Sequence, residues 1–488
     1  MKKNIYALVI FCFLIQLSKA NNLVMGTPSV SGSNVTFTIQ WDNSWNISSG
    51  PSNYDAVWIF LKRQTCNPSI QNPWMHAMLA VSGHSVTGSQ LSVELPADNE
   101  GVFIKRSAPG IGNVTQATVT LALATPIGSD NIGLYGIEMV YVPQGPFYIG
   151  DGNYRSYQTF GDANGMPVQI NSNLLSANSS GMPSNVYEGR SSLGSSVPLP
   201  NTYPFGYNSF YCMKYEITCG LYVSFLNTLT YNQQLHMQQD MNWNATPPTS
   251  AAGTSIMNSW GYNIKIKTPA ISTTVLQPAV YACDANNNNT YDEDCDGLAL
   301  PVSLNQSHWL SFMEWAGLRP MTEFEYEKAC RGPIAPIAGE YAWGSTDLAQ
   351  MQYTNSNWGC STDIQTYFAL GLCNCWTGRM YRVGSAATQI TDRVHAGATY
   401  FGILDMTGST YERCVGGWGY DYSSYTTANG DGNINIDGSC AMSVWNNMQY
   451  WNRGASAQNY QGSQVSNRNY ANDGGYGQAQ AGRGVRSN

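Results

Sequence analysis

Apolar and polar residues alternate with period two along 35–41 (VTFTIQW), which predicts a strand with one buried face. Residues 56–61 (AVWIFL) form a continuous buried run. Further strands are expected at 90–95 and 115–124, separated by Gly, Pro and Asn. Short strands at this spacing predict a β-sandwich over residues 21–125, followed by a linker at 126–136. Within it, His76 and His84 read as structural histidines.

The pattern changes from residue 137. Residues 137–150 read as two strands around a Pro/Gly turn, and 210–215 as another strand. Between them, 151–204 is polar and rich in Ser, Asn and Gly, as expected of a surface insertion. Thr218 caps a helix whose Leu221, Tyr222, Phe225, Leu226 and Leu229 form one apolar stripe. A second amphipathic helix covers 307–317, with Trp309, Phe312, Met313 and Ala316 on one face. Thr322 and Glu325 make a capping box for a helix over 321–331, whose Glu and Lys read as a solvated face. Residues 231–271 show no clear period.

Composition narrows the setting. Charged residues are 11% of the chain, against roughly 25% in ordinary globular proteins. With 48 Gly, 31 Tyr and 14 Trp, the chain has a loop-rich, aromatic, extracellular character. Net charge is −8 and basic residues form no run longer than two or three, which argues against a nucleic-acid partner. Lys2 and Lys3, the apolar run 5–17 and the small residue Ala20 predict a signal peptide over 1–20, and no other segment reads as a membrane span. The expected product is a soluble, exported protein. Eleven cysteines remain after residue 20, and in an oxidising compartment disulfides are the default. Cys283 and Cys295 flank one loop and could staple it, whereas Cys373 and Cys375 are expected to pair elsewhere.

Two stretches have the chemistry of hard-cation sites. In 283–297 (CDANNNNTYDEDCDG), Asp284, Asn286 and Asn288 alternate and Asp292, Asp294 and Asp296 follow, an oxygen pattern suited to Ca²⁺. The EF-hand pattern is broken, with Asn289 and Cys295 at its sixth and twelfth positions. In 402–417 (GILDMTGSTYERCVGG), a sharp turn at Thr407–Gly408 brings Glu412 near the 408–410 carbonyls. A third run of Asn and Asp, 429–437, reads as a hairpin turn.

Seven segments occur in an order that resembles the formylglycine-generating enzyme (sulfatase-modifying factor) family. They are 136–150 (GIEMVYVPQGPFYIG), 211–226 (YCMKYEITCGLYVSFL), 315–332 (WAGLRPMTEFEYEKACRG), 341–344 (YAWG), 402–412 (GILDMTGSTYE), 453–456 (RGAS) and 482–486 (GRGVR). The resemblance covers 137–488 and implies a divergent C-type-lectin-like α+β domain with little regular structure, behind an N-terminal β-sandwich. It implies calcium at Glu412, where Ser409 and Tyr411 replace the family's Asn and Trp, and at Asn355 and Asn357 in a second site. The family's oxidases carry two reactive cysteines shortly after the segment matching 453–456, and bind copper there. This chain has no cysteine after Cys440, so neither copper nor the oxidase activity is expected. The five histidines also fit no His-x-x-x-His-x-Glu motif of the iron-dependent relatives.

Three function classes follow. The preferred one is a non-catalytic exported protein that binds a surface ligand, protein or glycan. The others are an enzyme of different chemistry in the same cleft and a component of a cell-surface machine. For a binder, the aromatic C-terminal segment predicts a ligand face at Trp445, Tyr450, Trp451, Tyr460 and Tyr470. Trp445 and Trp451 could alternatively be core residues.

Overall fold

The computed structural model describes residues 22–65, 72–153, 158–172, 186–188, 202–239, 246–273, 276–352, 357–388, 391–416, 424–469 and 479–487. The expected signal peptide, Cys66, Asn355 and Tyr470 lie outside them.

Two sheets organise the N-terminal part. In the first, β1 (Asn34–Asn46) pairs with Val24–Met25, Ser29–Ser31 and a later strand, β5 (Gly110–Ala122), whose other edge carries Ser85–Thr87. The second contains β2 (Asp55–Gln64), β3 (Leu91–Glu94) and β4 (Gly101–Arg106). Val35, Phe37 and Ile39 of β1 meet Val57, Ile59 and Leu61 of β2 in one apolar core.

The second sheet does not stop at the expected boundary. Strand β6 (Asn131–Val142) pairs with β2 from Asn131↔Gln64 to Val140↔Asp55, and with β7 (Phe210–Met213) from Met139↔Met213 to Val142↔Phe210. Residues 131–136, expected within a linker, are therefore the first half of a strand shared by both parts of the chain. The run continues through β11 (Gly484–Arg486), β8 (Arg319–Thr322), β9 (Glu412–Val415) and β10 (Tyr450–Arg453), which gives ten strands with Met75–His76 included. The sequence of 56–61 explains the join. Its odd-numbered positions face the sandwich core, while Ala56, Trp58 and Phe60 face Ile137, Met139, Tyr211 and Phe312 of the other part. Both faces of β2 are covered, so it has no polar face to show.

Helix α1 (Cys219–Leu226) starts where Thr218 accepts from the Leu221 amide, as the sequence predicts. Helix α2 (Gln306–Trp315) packs with it against the sheet. The capping box at Thr322 and Glu325 forms and opens α3 (Glu323–Arg331), after the short β8 that precedes it. Residues 231–271, without a readable period, contain the helix Tyr231–Gln239 and the hairpin strands Ser255–Ser259 and Tyr262–Thr268. The described parts of the 151–204 insertion are not merely surface, since Phe160, Ile170, Val186 and Tyr203 join the core.

The largest departure concerns α3. Its Glu323, Glu325, Glu327, Lys328 and Arg331 are all buried rather than solvated. Arg453 reaches Glu323 and Glu327 at 2.8 Å each, and Arg468 reaches Glu323 at 2.8 Å. Arg331 pairs with Glu327 and Glu340, and Arg319 binds Glu325 through two N–H bonds of 2.9 and 2.6 Å. Arg486, behind these, pairs with Asp98 and Glu100 of the N-terminal part and lies 4.0 Å over Trp58. Trp58 in turn donates to the Ala316 carbonyl at 2.9 Å.

Burial alone would raise the Glu323 carboxyl, but Arg468 and then Arg453 outweigh it and hold it below the usual carboxylate range. A depressed carboxylate adds stability that is present above the unfolded value and is lost as pH falls through the folded one. Glu323→Ala leaves two buried guanidiniums short of a partner and should cost about 3–5 kcal/mol in chemical denaturation at neutral pH. The gap between variant and parent should narrow as pH drops below about 4.

Candidate functional site

The turn at 407–412 knits together two loops. Gly408 adopts φ +104°, and a Cβ there would lie 3.0 Å from the Asn374 backbone, so only glycine fits. Its amide donates to the Gly454 carbonyl at 2.7 Å. Ser409 donates its amide to the Asn374 carbonyl and accepts at its own carbonyl from Ala457, both at 2.8 Å. Segments 373–378 and 454–461 are thus fixed side by side.

Glu412 faces the cationic side chain of Arg483. It is fully buried, and its Oε1 accepts from Arg483 Nε at 2.6 Å. Ser409 does not join it, since its hydroxyl accepts from Asn374 Nδ2 at 3.3 Å. Beside Glu412 lies a residue that the sequence reading passed over, Glu216. Its Oε1 accepts from the Thr410 amide and hydroxyl at 2.7 Å each. Neither Glu216 Oε2 nor Glu412 Oε2 has a hydrogen-bond partner among the described residues. Burial, then the charge of Glu412, hold the Glu216 carboxyl well above the usual range. Burial raises the Glu412 carboxyl as well, against the opposing charge of Arg483.

The expected ligand face divides. Trp445 and Trp451 are core residues, 1% exposed each, with Trp451 under the Arg468 guanidinium at 4.5 Å. Tyr450 is half-buried, donates to the Trp445 carbonyl at 2.8 Å and sets its ring edge-on to Trp309. These three positions are therefore scaffold. Tyr460 is 50% exposed as expected, and it meets a residue the sequence reading missed, Trp376, which is 62% exposed. Their ring centroids are 5.6 Å apart at 52°. Trp376 holds φ +53°, unfavourable for a bulky residue, and its amide donates to the Ser456 carbonyl at 3.1 Å. The adjacent Cys375 is bonded to Cys373. That pairing corrects the expectation for these cysteines, since their Cα atoms lie 5.3 Å apart, within the range a disulfide spans.

The acidic loop is closed differently from expectation as well. Cys283 ends a hairpin strand and points into the core as a free thiol, while Cys295 bonds to Cys360. Asp284, Asn286 and Asn288 use their side-chain oxygens on backbone amides of the same loop, at 2.6–3.1 Å. Asp292 accepts from the Cys283 amide at 3.0 Å, and Asp294 from the Ser361 amide at 2.7 Å. Asn357 is exposed and its carbonyl closes a turn onto Cys360. The 429–437 run is a series of turns whose Asn433 side chain and Gly432 carbonyl hold His76 and Lys62 of the N-terminal part.

The residues present do not fit the copper chemistry of the resembled oxidases. Cys212, Cys219, Cys283, Cys330, Cys414 and Cys440 are the free thiols among the described residues, and all are buried. Burial pushes each of them up, Cys330 to about 12, so none is a ready thiolate.

The family model for a sulfatase-modifying factor enzyme 1-like domain (FGE-sulfatase) matches residues 135–482. No curated protein matches the chain. Among solved structures, the group B streptococcus pilus 2b backbone protein is similar at 12% identity over 39% of this chain and 85% of its own, with a TM-score of 0.11. A likeness that slight carries no argument.

The Glu216–Glu412 pair makes two opposite expectations. Glu216→Gln keeps the size and hydrogen-bonding oxygen of a side chain whose charged form burial disfavours, and should leave the melting temperature at pH 7 within a few degrees. A raised carboxyl contributes stability that is lost as pH rises, so this variant should also lose less stability than the parent on the alkaline side. Glu412→Ala strips Arg483 of its buried partner and should cost about 3–5 kcal/mol in denaturant titrations.

Proposed function

The chain belongs to the sulfatase-modifying factor family, and from that premise we propose that it is an exported, non-catalytic member that uses the family domain to bind a surface ligand. The observation that carries this reading is the exposed Trp376–Tyr460 pair beside the 453–456 segment. No cysteine follows Cys440, and in place of thiols the segment after Ser456 offers Gln458, Asn459, Tyr460 and Gln461. Two aromatics held on a locked turn lose little freedom when a ligand covers them, which favours binding. The side chains next to them in sequence are amides and a hydroxyl, Asn459, Gln461 and Thr377, with Arg379 in the same turn as Trp376. Such a surface suits a polar ligand such as a glycan or a polar protein loop. A C-type-lectin-like arrangement of the domain and removal of residues 1–20 on export belong to the same proposal.

Two measurements test it. Trp376→Ala and Tyr460→Ala should each weaken retention on a printed glycan panel or on intact cells about tenfold, in line with aromatic anchors worth 2 kcal/mol or so, while the melting temperature stays within a few degrees. Unchanged retention for both variants places the ligand face elsewhere. A cysteine-containing peptide incubated with the protein, copper and oxygen should keep its mass, and an aldehyde product would refute the non-catalytic assignment.

A further inference from the structure

The acidic loop at 283–297 reads from sequence as a cation loop, and the structure shows a cation in it. The hairpin strand Tyr262–Thr268 runs past the loop with Ile264 and Ile266 turned into the core and Lys265 and Lys267 turned toward the loop. Lys265 is 3% exposed. Its ammonium lies 2.7 Å from Asp284 Oδ2, 2.5 Å from Asn287 Oδ1 and 3.0 Å from Asn289 Oδ1. An ammonium has three N–H donors, and here each has an oxygen. Asn287 and Asn289 both adopt left-handed backbone, φ +60° and +61°, which swings their amide oxygens inward. Asparagine tolerates that conformation better than most residues.

We propose that this is a cation-binding loop whose resident cation is the Lys265 side chain, so that the loop folds without a metal. The alternating oxygens expected to bind Ca²⁺ serve the backbone instead, at Asn288, Asn289 and Thr290. The oxygens of Asp284, Asn287 and Asn289 that a cation would use are taken by the ammonium. Lys265 also sits where it neutralises Asp284, a fully buried carboxylate that would otherwise carry its charge uncompensated. Lys267 repeats the arrangement in a weaker form, 3.7 Å from Asp292 with its side chain 35% exposed.

The full-length protein without its leader is melted in EDTA and in millimolar CaCl₂. The parent should give the same curve in both. Lys265→Met should melt several degrees lower and recover part of the loss in CaCl₂, because the vacated oxygens accept the ion. A parent that CaCl₂ stabilises, with the effect lost in Asp284→Asn, would overturn the assignment. So would a Lys265→Met variant that melts like the parent, or one that CaCl₂ leaves unchanged. Where Lys265→Met does not fold, reductive methylation of the native parent followed by peptide mass mapping decides. Lys265 should stay unmodified while Lys267, two residues away, reacts, and equal modification of both sinks the proposal.

Discussion

Helix α3 is a short helix that buries three carboxylates, and arginines from well-separated parts of the family domain meet them. A buried carboxylate without a partner is too costly to keep ionised. Glu323, Glu325 and Glu327 therefore recruit Arg319, Arg331, Arg453 and Arg468 from positions as far apart as 319 and 468. Each guanidinium fixes the segment that bears it. The low overall charge of the chain is consistent with this economy, because many of its charged side chains are structural and few decorate the surface. A fold with so little regular structure gains specificity from contacts of this kind, in which wrong pairings leave charge uncovered.

The periodic parts of the fold were legible. The alternation at 35–41, the continuous apolar run at 56–61, the Thr218 cap and the Thr322–Glu325 capping box all formed as read. What misled was the meaning of charge. A helix reading EFEYEKACR looks solvated by local pattern, and only distant arginines make its burial possible. The boundary at 126–136 failed for a similar reason, since strand β6 takes its partners from 67 to 85 residues behind and 68 to 74 ahead. Local composition carries no record of such pairings.

At the site, aromatic content was a poor guide to exposure. Trp445 and Trp451 are large enough that the core claims them, whereas Tyr460 stays at the surface. Trp376 had no signal of its own, because its exposure follows from a left-handed turn beside the Cys373–Cys375 bond, a local geometry that no periodicity announces. The Ser409 hydrogen bonds to Asn374 and Ala457 place these loops near one another.

Strand β6 has one more consequence. The family match begins at residue 135, inside a strand that runs from Asn131 to Val142. The stretch that descends as a unit and the stretch that folds as a unit thus have different ends. Any exchange of the N-terminal part for another would have to bring a replacement for β2 whose one face suits its own core and whose other face suits Ile137, Met139 and Tyr211. The two parts are bound to change together, and a graft that respects only the recognisable boundary would leave half a strand with nothing to lie against.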